Sequence, residues 1–530
     1  MATEVELFQQ QKYDELWQRC CGFIDLSLED FMAIQRRLLT EQLDLLQKCE
    51  LGQFLFNGAA PYSLEDFRTQ IPLTTYDDYA PFLIKKREDA LPEKPALWQY
   101  TSGKAGEYPF LWAPVTNGQL KEIKSLLFAL LFFSGCKQRK DIVFKKNDKV
   151  LYGMAPPPYA TGTMARVFPH ELFDFLPSVE EAEKESFEQR IQRGFELALS
   201  EGLDVFLALS SVVVAIGERF EQKSDSTHLA SLLKSPKAML RLARGLVKSK
   251  LAKRRLMPKD LWTLKGLITF GIDSSIYEDK IENMWGVKPL EFHGCTEAVL
   301  IAMQTWDHQG MTFIPSLNLF EFISEEESVK SRENLAYQPT TLLMDELTPG
   351  IYELVITSFH GGPFVRYRPG HLIEITALRN ETLNIDIPQM RFLTRIDDQI
   401  DIAGFTRLSE KIIWQAIANT GIRYSDWTVR KELKDKPLLH LYIELKSTNG
   451  IGAEQVAESV HRELKKLDAP YAELESFIGL RPLIVTLLPR GSFKSYQKKQ
   501  RDSSADLIHL KPSHLNPADG AIEFLVNATP

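Results

Sequence analysis

The chain has 530 residues, 44% hydrophobic and 25% charged, which is the composition of an ordinary globular protein. This length favours two or more domains over a single core. The formal net charge of −8 argues against a nucleic-acid-binding surface. The five cysteines contain no Cys-x-x-Cys pair, so reduced thiols in the cytoplasm are expected.

The N-terminal stretch "MATEVELFQQQKYDELW" has neither a basic n-region nor an apolar h-region. We therefore expect no signal peptide. The most apolar run, "LLFALLFF" at 126–133, is too short to span a bilayer and is interpreted as a buried helix. A cytoplasmic protein without a membrane span is the resulting expectation.

The first 60 residues are predicted to be helical, because "FMAIQRRLLTEQLDLLQKC" repeats apolar residues at three- and four-residue spacing. "KVLYGMAPPPYATG" is typical of a buried strand that enters a rigid proline loop. Residues 180–233 are predicted to be helical again, with "FLALSSVVVAIGERF" lying inside the protein.

Residues 234–259 contain ten Lys or Arg and no acid, interleaved with apolar residues at helical spacing. Two interpretations are open. The segment could dock on an anionic membrane or an acidic partner. The favoured alternative is a solvated helix face whose apolar stripe packs on the core, because the chain as a whole is acidic.

The following runs, among them "GLITFGID", "PLEFHGC", "IYELVIT" and "HLIEITAL", predict strands of a large mixed sheet. From about residue 397 helices and strands alternate, as in a small two-layer α+β unit. The fold class expected is α/β, with a large N-terminal domain (1–396) of mixed sheets and helices and a small, mobile C-terminal α+β domain (397–530).

The segment "WQYTSGKAGEYPF" resembles a phosphate-binding loop. Gly103 and Gly106 allow close approach of the backbone, and Thr101 and Ser102 provide hydroxyl groups. Backbone N–H groups in such a loop form a concave surface suited to a phosphate. A plain surface turn is an equally good interpretation of this segment alone.

A second unit, residues 267–302, contains a strand that ends in Gly271, then a helix, then a strand that ends in a Gly-Cys-Thr-Glu turn. Thr296 and Glu297 place a hydroxyl next to a carboxylate, which suits a phosphate oxygen and its Mg²⁺ ion. A solvated glutamate at a strand end is the alternative. Farther on, Arg366 and Arg368 are predicted to share one face of a strand, where they pair acids or hold an anion.

The order of these elements along the chain resembles that of the adenylate-forming enzymes. Within that superfamily, "IPLTTYDDYAPFL", "GIDSSIYEDKI", "MQTWDHQGMTF", "NLFEFI" and "HLKP" are most similar to bacterial relatives of the plant auxin-responsive acyl-acid–amido synthetases, the Gretchen Hagen three family. The resemblance implies two half-reactions: a carboxylic acid and ATP form an acyl-adenylate, and an amine or amino acid then takes the acyl group. It also implies Mg²⁺ as a cofactor and, from the two apolar runs "LLFALLFF" and "FLALSSVVVAIGERF", an apolar acid.

The resemblance also implies site residues, position by position. They are Thr101, Ser102, Gly103 and Gly106 in the phosphate loop, Gly271, Thr296 at the α-phosphate, Glu297 at Mg²⁺, Arg395 before the hinge, Asp397 and Asp398 in the hinge, and Lys511 as the lysine that the small domain brings to the adenylate.

Three parts of the implied nucleotide site depart from the family pattern. Lys104 and Ala105 replace hydroxyl residues, His293 replaces the tyrosine that stacks on adenine, and His371 replaces the aspartate that binds the ribose. Lys104 could place its charge on the β- or γ-phosphate.

Because of these departures, two alternatives stay open. The first is an ATP-independent acyltransferase that takes a thioester from coenzyme A or an acyl carrier protein and uses Cys295, His293 and His371. The second is a non-catalytic relative that keeps only the fold.

Overall fold

The computed structural model describes residues 2–102, 110–154, 157–185, 187–223, 235–271, 274–334, 337–396, 399–446, 450–502, 512, 514–517 and 519–528. Their contacts divide the chain into two compact units, one ending at Ile396 and the other formed mainly by the residues that follow it.

The first unit contains helices in three groups along the chain. Helices α1–α6 precede the first strand: Glu4–Gln9, Tyr13–Cys21, Leu28–Leu46, Glu50–Phe56, Leu64–Gln70 and Tyr76–Leu83. Helices α7–α11 follow: Asn117–Gly135, Ala160–Val167, Val179–Ala182, Phe187–Glu201 and Ser210–Lys223. Helices α12–α15 complete the unit: Pro236–Leu251, Pro258–Leu261, Ser274–Trp285 and Glu325–Glu333.

The strands of the first unit are β1 Leu97–Ser102, β2 Phe110–Val115, β3 Asp148–Gly153, β4 Phe173–Leu176, β5 Val205–Leu209, β6 Gly266–Phe270, β7 Leu290–His293, β8 Ala302–Gln304, β9 Met311–Phe313, β10 Asn318–Ser324, β11 Thr341–Leu342, β12 Gly350–Ser358, β13 His371–Ala377 and β14 Gln389–Arg395. Strands β1 and β2 pair with each other. The others form one sheet in the order β11-β10-β12-β13-β14-β9-β8-β7-β6-β5-β3-β4.

This sheet has a parallel half and an antiparallel half. Strands β4, β3, β5, β6 and β7 pair in parallel, and from β7 to β11 every pairing is antiparallel. The parallel strands have helices between them, as crossover connections require. The carboxyl ends of β5, β6 and β7 therefore lie at one edge of the sheet, where α/β proteins commonly bind ligands.

The second unit is a small α+β structure. A hairpin, β15 Gln399–Ile402 with β16 Thr406–Ser409, precedes a sheet of β17 Tyr424–Leu433, β18 Pro437–Leu445 and β19 Leu483–Leu487. Its helices α16–α20 are Glu410–Asn419, Ala453–Leu467, Ala469–Ile478, Ser492–Asp502 and Asp519–Val526. The predicted α/β class with a large mixed sheet is confirmed.

One secondary-structure prediction was wrong. Residues 205–209 form the central strand β5 rather than the start of a helix. All its residues but the last are buried, because a parallel strand is covered on both faces. A buried strand therefore has the same continuous apolar pattern as a buried helix. The part of the predicted helix at 224–233 lies outside the described residues.

The apolar run 126–133 belongs to α7 and is buried throughout. Its rings pack against the N-terminal helices: the ring centroid of Phe133 lies 5.8 Å from that of Trp17, and Phe128 lies 6.4 Å from Phe8. In the described structure this run therefore forms part of the core of the first unit. None of the described helices combines the length and the apolar character needed to cross a membrane.

Helix α12 differs from the favoured expectation for the basic segment. It begins where Ser235 accepts a hydrogen bond from the Ala238 N–H, with Pro236 in its first turn. Its inward face is a buried line at helical spacing, Ala238, Leu242, Gly245 and Ser249, so the expected packing on the core is present but uses mainly small side chains. Four larger apolar side chains point outward: Met239, Leu240, Val247 and Leu251 are 53%, 53%, 57% and 80% exposed.

Candidate functional site

The turn after β7 is unusually tight. A Cβ atom at Gly294 would lie 2.0 Å from the carbonyl oxygen of Val299, so only glycine fits there. Val299 itself has φ of +62°, and its N–H donates to the Cys295 carbonyl at 2.7 Å. The Ile301 N–H closes the turn by donating to the His293 carbonyl at 2.9 Å. These bonds fix the backbone of residues 294–299.

Two buried residues in this turn have polar partners from distant segments. The Gln99 Nε2 donates to the Thr296 carbonyl oxygen at 2.8 Å, which ties β1 to the turn. The Tyr367 hydroxyl donates to Glu297 Oε1 at 3.0 Å. Thr296 and Glu297 are both buried, at 9% and 7% exposure, so the carboxylate is held in one orientation and largely shielded from water.

Tyr367 is itself fixed by its backbone. Its N–H donates to the Ile356 carbonyl at 2.7 Å, and its own carbonyl accepts from the Ile356 N–H at 2.9 Å. The neighbouring residues Arg366 and Arg368 bond on the other side to Thr74. Burial and the charge of Glu297 raise the pKa of the Tyr367 hydroxyl well above its ordinary value. The phenol therefore stays protonated and acts as a donor to Glu297.

A pair of histidines lies beside this turn. His293 ends β7 and His371 begins β13, and His293 Nε2 lies 3.0 Å from His371 Nδ1. The Phe392 ring stacks on His293 at a centroid distance of 4.4 Å and an interplanar angle of 23°. His371 is only 2% exposed. The two histidines and the phenylalanine therefore form a closed aromatic cluster.

The surroundings keep His293 neutral. Burial, followed by the positive charge of Arg395, lowers the pKa of His293 to about 3. Arg395 is the last residue of β14, directly opposite His371 in the strand register, and its Nη2 donates to the Pro369 carbonyl at 3.2 Å. A neutral imidazole at this position donates through one ring nitrogen and accepts through the other.

Cys295 lies between the histidine pair and Thr296 along the chain. Burial raises the pKa of its thiol, and the nearby charge of Glu297 raises it further. The thiol is therefore protonated at neutral pH, and a protonated thiol is a poor nucleophile.

Gly271, predicted from the sequence, directly follows the neighbouring strand β6. Its φ of +127° lies in a region that side chains disfavour, and a Cβ there would lie 3.4 Å from Leu209 at the end of β5. The carboxyl ends of β5, β6 and β7 thus bring together an apolar side chain, a glycine turn and the Thr296–Glu297 turn.

Several predicted site residues fall where the structure gives no description. Thr101 and Ser102 end β1, but their side chains, like Gly103, Lys104 and Gly106, lie outside the described residues. The same holds for Asp397, Asp398 and Lys511. Their assignments remain predictions.

Arg366 and Arg368 do not share a face of a strand, which corrects the expectation. Arg366 has φ of +44° in a bend, and its guanidinium donates to Glu321 at 2.7 Å and to the Ile71 carbonyl at 2.5 Å. Arg368 instead forms a two-bond pair with Glu353, with both bonds 2.7 Å long. Of the two predicted roles, the structure shows the pairing of acids.

Three residues of the site were not predicted from the sequence: Gln99, Tyr367 and Phe392. Tyr367 lies between the two arginines that drew attention, and Gln99 lies two residues before Thr101. A polar residue in an otherwise apolar strand was the available signal for Gln99. Nothing in the sequence alone identifies the partners of Tyr367 and Phe392.

The donor set of the turn fits a magnesium ion bound together with phosphate. A threonine hydroxyl and a carboxylate are both oxygen donors, and Mg²⁺ commonly uses one or two carboxylates plus substrate phosphates. The histidine pair is less well suited to binding a nucleoside than the turn is to binding Mg²⁺ and phosphate. It provides no carboxylate for ribose hydroxyls, and Phe392 already covers one face of His293.

Two family models match the sequence. The GH3 family N-terminal domain matches residues 20–164, and the GH3 family central domain matches residues 311–395. None of the curated proteins matches it.

Solved structures with the same fold include two of the GH3.15 acyl acid amido synthetase. The one in complex with 2,4-DB is 16% identical over 96% of this chain and 95% of that chain, with a TM-score of 0.53. The other is 16% identical over 94% of each chain, with a TM-score of 0.52. A 2-hydroxyisobutyryl-CoA ligase in complex with 2-HIB-AMP and CoA is 16% identical over 87% of each chain, with a TM-score of 0.55.

The two GH3 domain models lie in the order and position that the motifs predicted, and the shared fold extends over nearly the whole length of the chain. The predicted resemblance to the GH3 family is thereby confirmed over residues 20–164 and 311–395. The same matches support the predicted enzyme class, a ligase.

Proposed function

We propose that this chain activates an apolar carboxylic acid with ATP as an acyl-adenylate and transfers the acyl group to an amine, forming an amide. The observation that carries the proposal is the Glu297 carboxylate, which is buried, held by the protonated Tyr367 and adjacent to Thr296 at the carboxyl end of β7. A carboxylate fixed in this way would hold a Mg²⁺ ion with little reorganisation, and the ion would neutralise the charge of a phosphate beside it.

The reaction balances in two steps. A carboxylate oxygen of the acid attacks the α-phosphorus of ATP, a new P–O bond forms, and pyrophosphate leaves with the electrons of the broken P–O bond. The amine nitrogen then attacks the acyl carbon, loses a proton, and AMP leaves. When bound, Mg²⁺ would neutralise phosphate charge, with Glu297 as its protein ligand and the Thr296 hydroxyl on a phosphate oxygen.

The preference for an apolar acid is supported by the same edge of the sheet. Leu209 at the end of β5 adjoins Gly271, whose lack of a side chain leaves room there. Helix α11 follows β5 directly, and Val212 and Val213 near its start are buried apolar residues. An apolar acyl chain at these strand ends would place its carboxylate toward the turn that contains Glu297.

The nucleoside part of the site is proposed to bind weakly. With His371 bonded to His293, no acid is available at the position that the family uses for ribose. Nucleotide affinity would then rest mainly on the phosphate contacts of Thr296, of the ion at Glu297 and of the loop that contains Lys104. A weak Kd for ATP, offset by high cellular ATP, is compatible with turnover.

The experiment is product detection with a panel of apolar acids, amino acids and Mg·ATP, in which pyrophosphate and the amide are measured in the same tube. Both are expected in equal amounts, and Glu297→Gln should lower both rates by about 10²–10³-fold, the range for removal of one preorganised charge-stabilising group. Glu325→Gln, a first-turn residue of α15 with the same change in charge, is the matched control.

Pyrophosphate without amide would show activation with another acceptor, such as coenzyme A. Amide formation from acyl thioesters without ATP, with release of free thiol, would instead establish the acyltransferase alternative. That alternative has less support, because the thiol of Cys295 is protonated and His293 Nε2 is engaged by His371. If neither assay gave product with broad panels of acids, thioesters and amines, the alternative of a non-catalytic relative would be favoured.

A further inference from the structure

We propose that helix α12 is a docking surface for anionic phospholipid membranes, on which it lies in the plane of the headgroups. This surface consists of Leu240, Val247 and Leu251 with the exposed cations around them. It is separate from the ligase site and does not depend on the proposed function.

The orientation of α12 is fixed by its inward face. Ala238, Leu242, Gly245 and Ser249 are spaced by three or four residues, so they form one line along the helix, and all four are buried. A Cβ at Gly245 would lie 2.7 Å from the Leu261 side chain, which shows how closely the helix approaches its neighbour. The Arg241 Nη1 donates to the Ala198 carbonyl at 2.9 Å and ties the helix to α10.

The outward face carries an apolar stripe. At 3.6 residues per turn, Leu240, Val247 and Leu251 fall on one line that is opposite the buried line. They are 53%, 57% and 80% exposed, and Met239 adds a further side chain that is 53% exposed. Large apolar side chains are costly to leave in water, at about 1.5–3 kcal/mol for a fully buried one. Here they are concentrated on one helix of 16 residues.

Cations flank this stripe on both sides. Lys237, Arg244 and Lys248 lie along one edge and Lys250 along the other, and all four are exposed. The carboxylate Asp260 is already paired with Arg254 at 2.7 Å, and within the described part of the chain these four cations have no acidic partner. Residues 234–259 contain ten of the 63 basic residues and none of the 71 acidic ones, so this charge contrasts with the rest of the chain.

An apolar stripe bordered by lysine and arginine is the arrangement that an in-plane interfacial helix needs. The apolar side chains enter the boundary between headgroups and acyl chains while the cations meet lipid phosphates. The outward apolar side chains Leu240, Val247 and Leu251 are 53%, 57% and 80% exposed, and an apolar centre has no use in a purely ionic contact. These features favour a lipid surface over an acidic protein.

The test is vesicle flotation of the full chain with phosphatidylcholine alone and with phosphatidylcholine mixed with phosphatidylserine. Binding is expected only to the acidic vesicles and should fall as salt is raised. The triple variant Lys237→Gln, Arg244→Gln, Lys248→Gln should weaken binding by about a hundredfold, at roughly fivefold for each cation near the surface. The triple variant Leu240→Gln, Val247→Gln, Leu251→Gln should weaken it at least about tenfold.

Matched controls are Leu378→Gln with Leu433→Gln, whose side chains are 46% and 50% exposed elsewhere, and Lys411→Gln. They should leave binding unchanged, and circular dichroism checks that every variant is folded. Binding to neither vesicle would overturn the proposal. The proposal would also be overturned if the chain bound sodium polyglutamate as tightly as acidic vesicles and kept that binding in the Leu240→Gln, Val247→Gln, Leu251→Gln variant. That result would indicate an acidic protein partner.

Discussion

The turn at 294–297 directly follows His293 of the histidine pair, yet the polar groups of the turn and of the pair are satisfied in different ways. Glu297 receives a hydrogen bond from Tyr367 on Oε1, and the described residues give no hydrogen bond to Oε2. His293 and His371 bond to each other and stack with Phe392. The turn therefore leaves one carboxylate oxygen without a described hydrogen bond, whereas the two histidines bond to each other. Under the proposed function, the family pattern would be kept on the phosphate side of the site and altered on the nucleoside side.

A second contrast separates a buried charge that is paired with an opposite charge from the buried carboxylate for which we propose a chemical role. Arg366 and Glu321 form a buried pair with side-chain exposures of 6% and 1%. Glu297 is comparably buried, but its partner is a neutral phenol. Removing a charge should therefore damage stability in the first case and activity in the second.

The largest expected effect is on stability. Glu321→Gln would leave the Arg366 guanidinium buried without its counter-charge, so the free energy of unfolding should fall by about 3–5 kcal/mol. Urea denaturation measures this change. The control is Glu374→Gln, which breaks the exposed pair with Arg391 and should cost less than about 1 kcal/mol. Equal costs for both variants would show that the buried pair has no special structural role.

The next effect tests the histidine pair. His371→Asp places a carboxylate where the family binds ribose, so affinity for Mg·ATP should rise by about tenfold to a hundredfold, the value of a hydrogen bond to a charged group. Isothermal titration measures the affinity. His371→Asn supplies a similar shape without charge and should gain less. If neither variant binds more tightly than the parent chain, residue 371 does not face the ribose.

The pH dependence of stability offers a test of the neutral state of His293. Its folded pKa is about 3 and an unfolded histidine titrates near 6.5, so between these values only the unfolded state takes up the proton. The contribution of neutral His293 to the free energy of unfolding should therefore be fully present above about pH 6.5. It should decline as the pH falls toward 3, by at most about 1.4 kcal/mol per pH unit.

His293→Phe keeps a ring against Phe392 and removes this titration. Between about pH 4 and pH 6, which lie between the two pKa values, the free energy of unfolding should therefore depend less on pH than in the parent chain. The exposed His170 provides the control, His170→Phe. An unchanged slope in His293→Phe would mean that His293 is charged, or already accessible, in the folded protein.

The smallest expected effect concerns the group that orients Glu297. Tyr367→Phe leaves the Glu297 carboxylate in place and removes only the bond that orients it. The rate of pyrophosphate release should therefore fall by about two- to tenfold, less than the full value of about 1.5–3 kcal/mol for a hydrogen bond to a charged group. Tyr62→Phe, at a side chain that is 81% exposed, should have no effect. A loss as large as that of Glu297→Gln would instead give Tyr367 a direct part in the chemistry.

Local patterns predicted much of the fold and only part of the site. The three- and four-residue spacing predicted α3, and alternating or continuous apolar runs predicted β6, β7, β12 and β13. Strand β5 was mistaken for helix because burial on both faces erases the alternation that marks a strand. The outward apolar stripe of α12 was missed because periodicity shows that a helix is amphipathic, not which of its faces meets the core.

The site depends on contacts between distant segments. The two residues joined in the Tyr367–Glu297 bond are 70 positions apart, and those in the Gln99–Thr296 bond are 197 apart. Likewise, Arg366 meets Glu321 only after β10 and β12 pair. The sequence therefore pointed to Thr296, Glu297, His293 and His371 one by one, but the pairing of the histidines required the folded chain.

Acid-dependent exchange of labelled pyrophosphate into ATP tests the central claim most directly, since it reports the acyl-adenylate without requiring the correct amine. We predict that exchange requires both an apolar acid and Mg²⁺, persists in Glu325→Gln and is lost in Glu297→Gln. No exchange with any acid, together with thiol release from acyl thioesters that is unaffected by Glu297→Gln, would contradict the assignment of acid activation to the turn at 294–297.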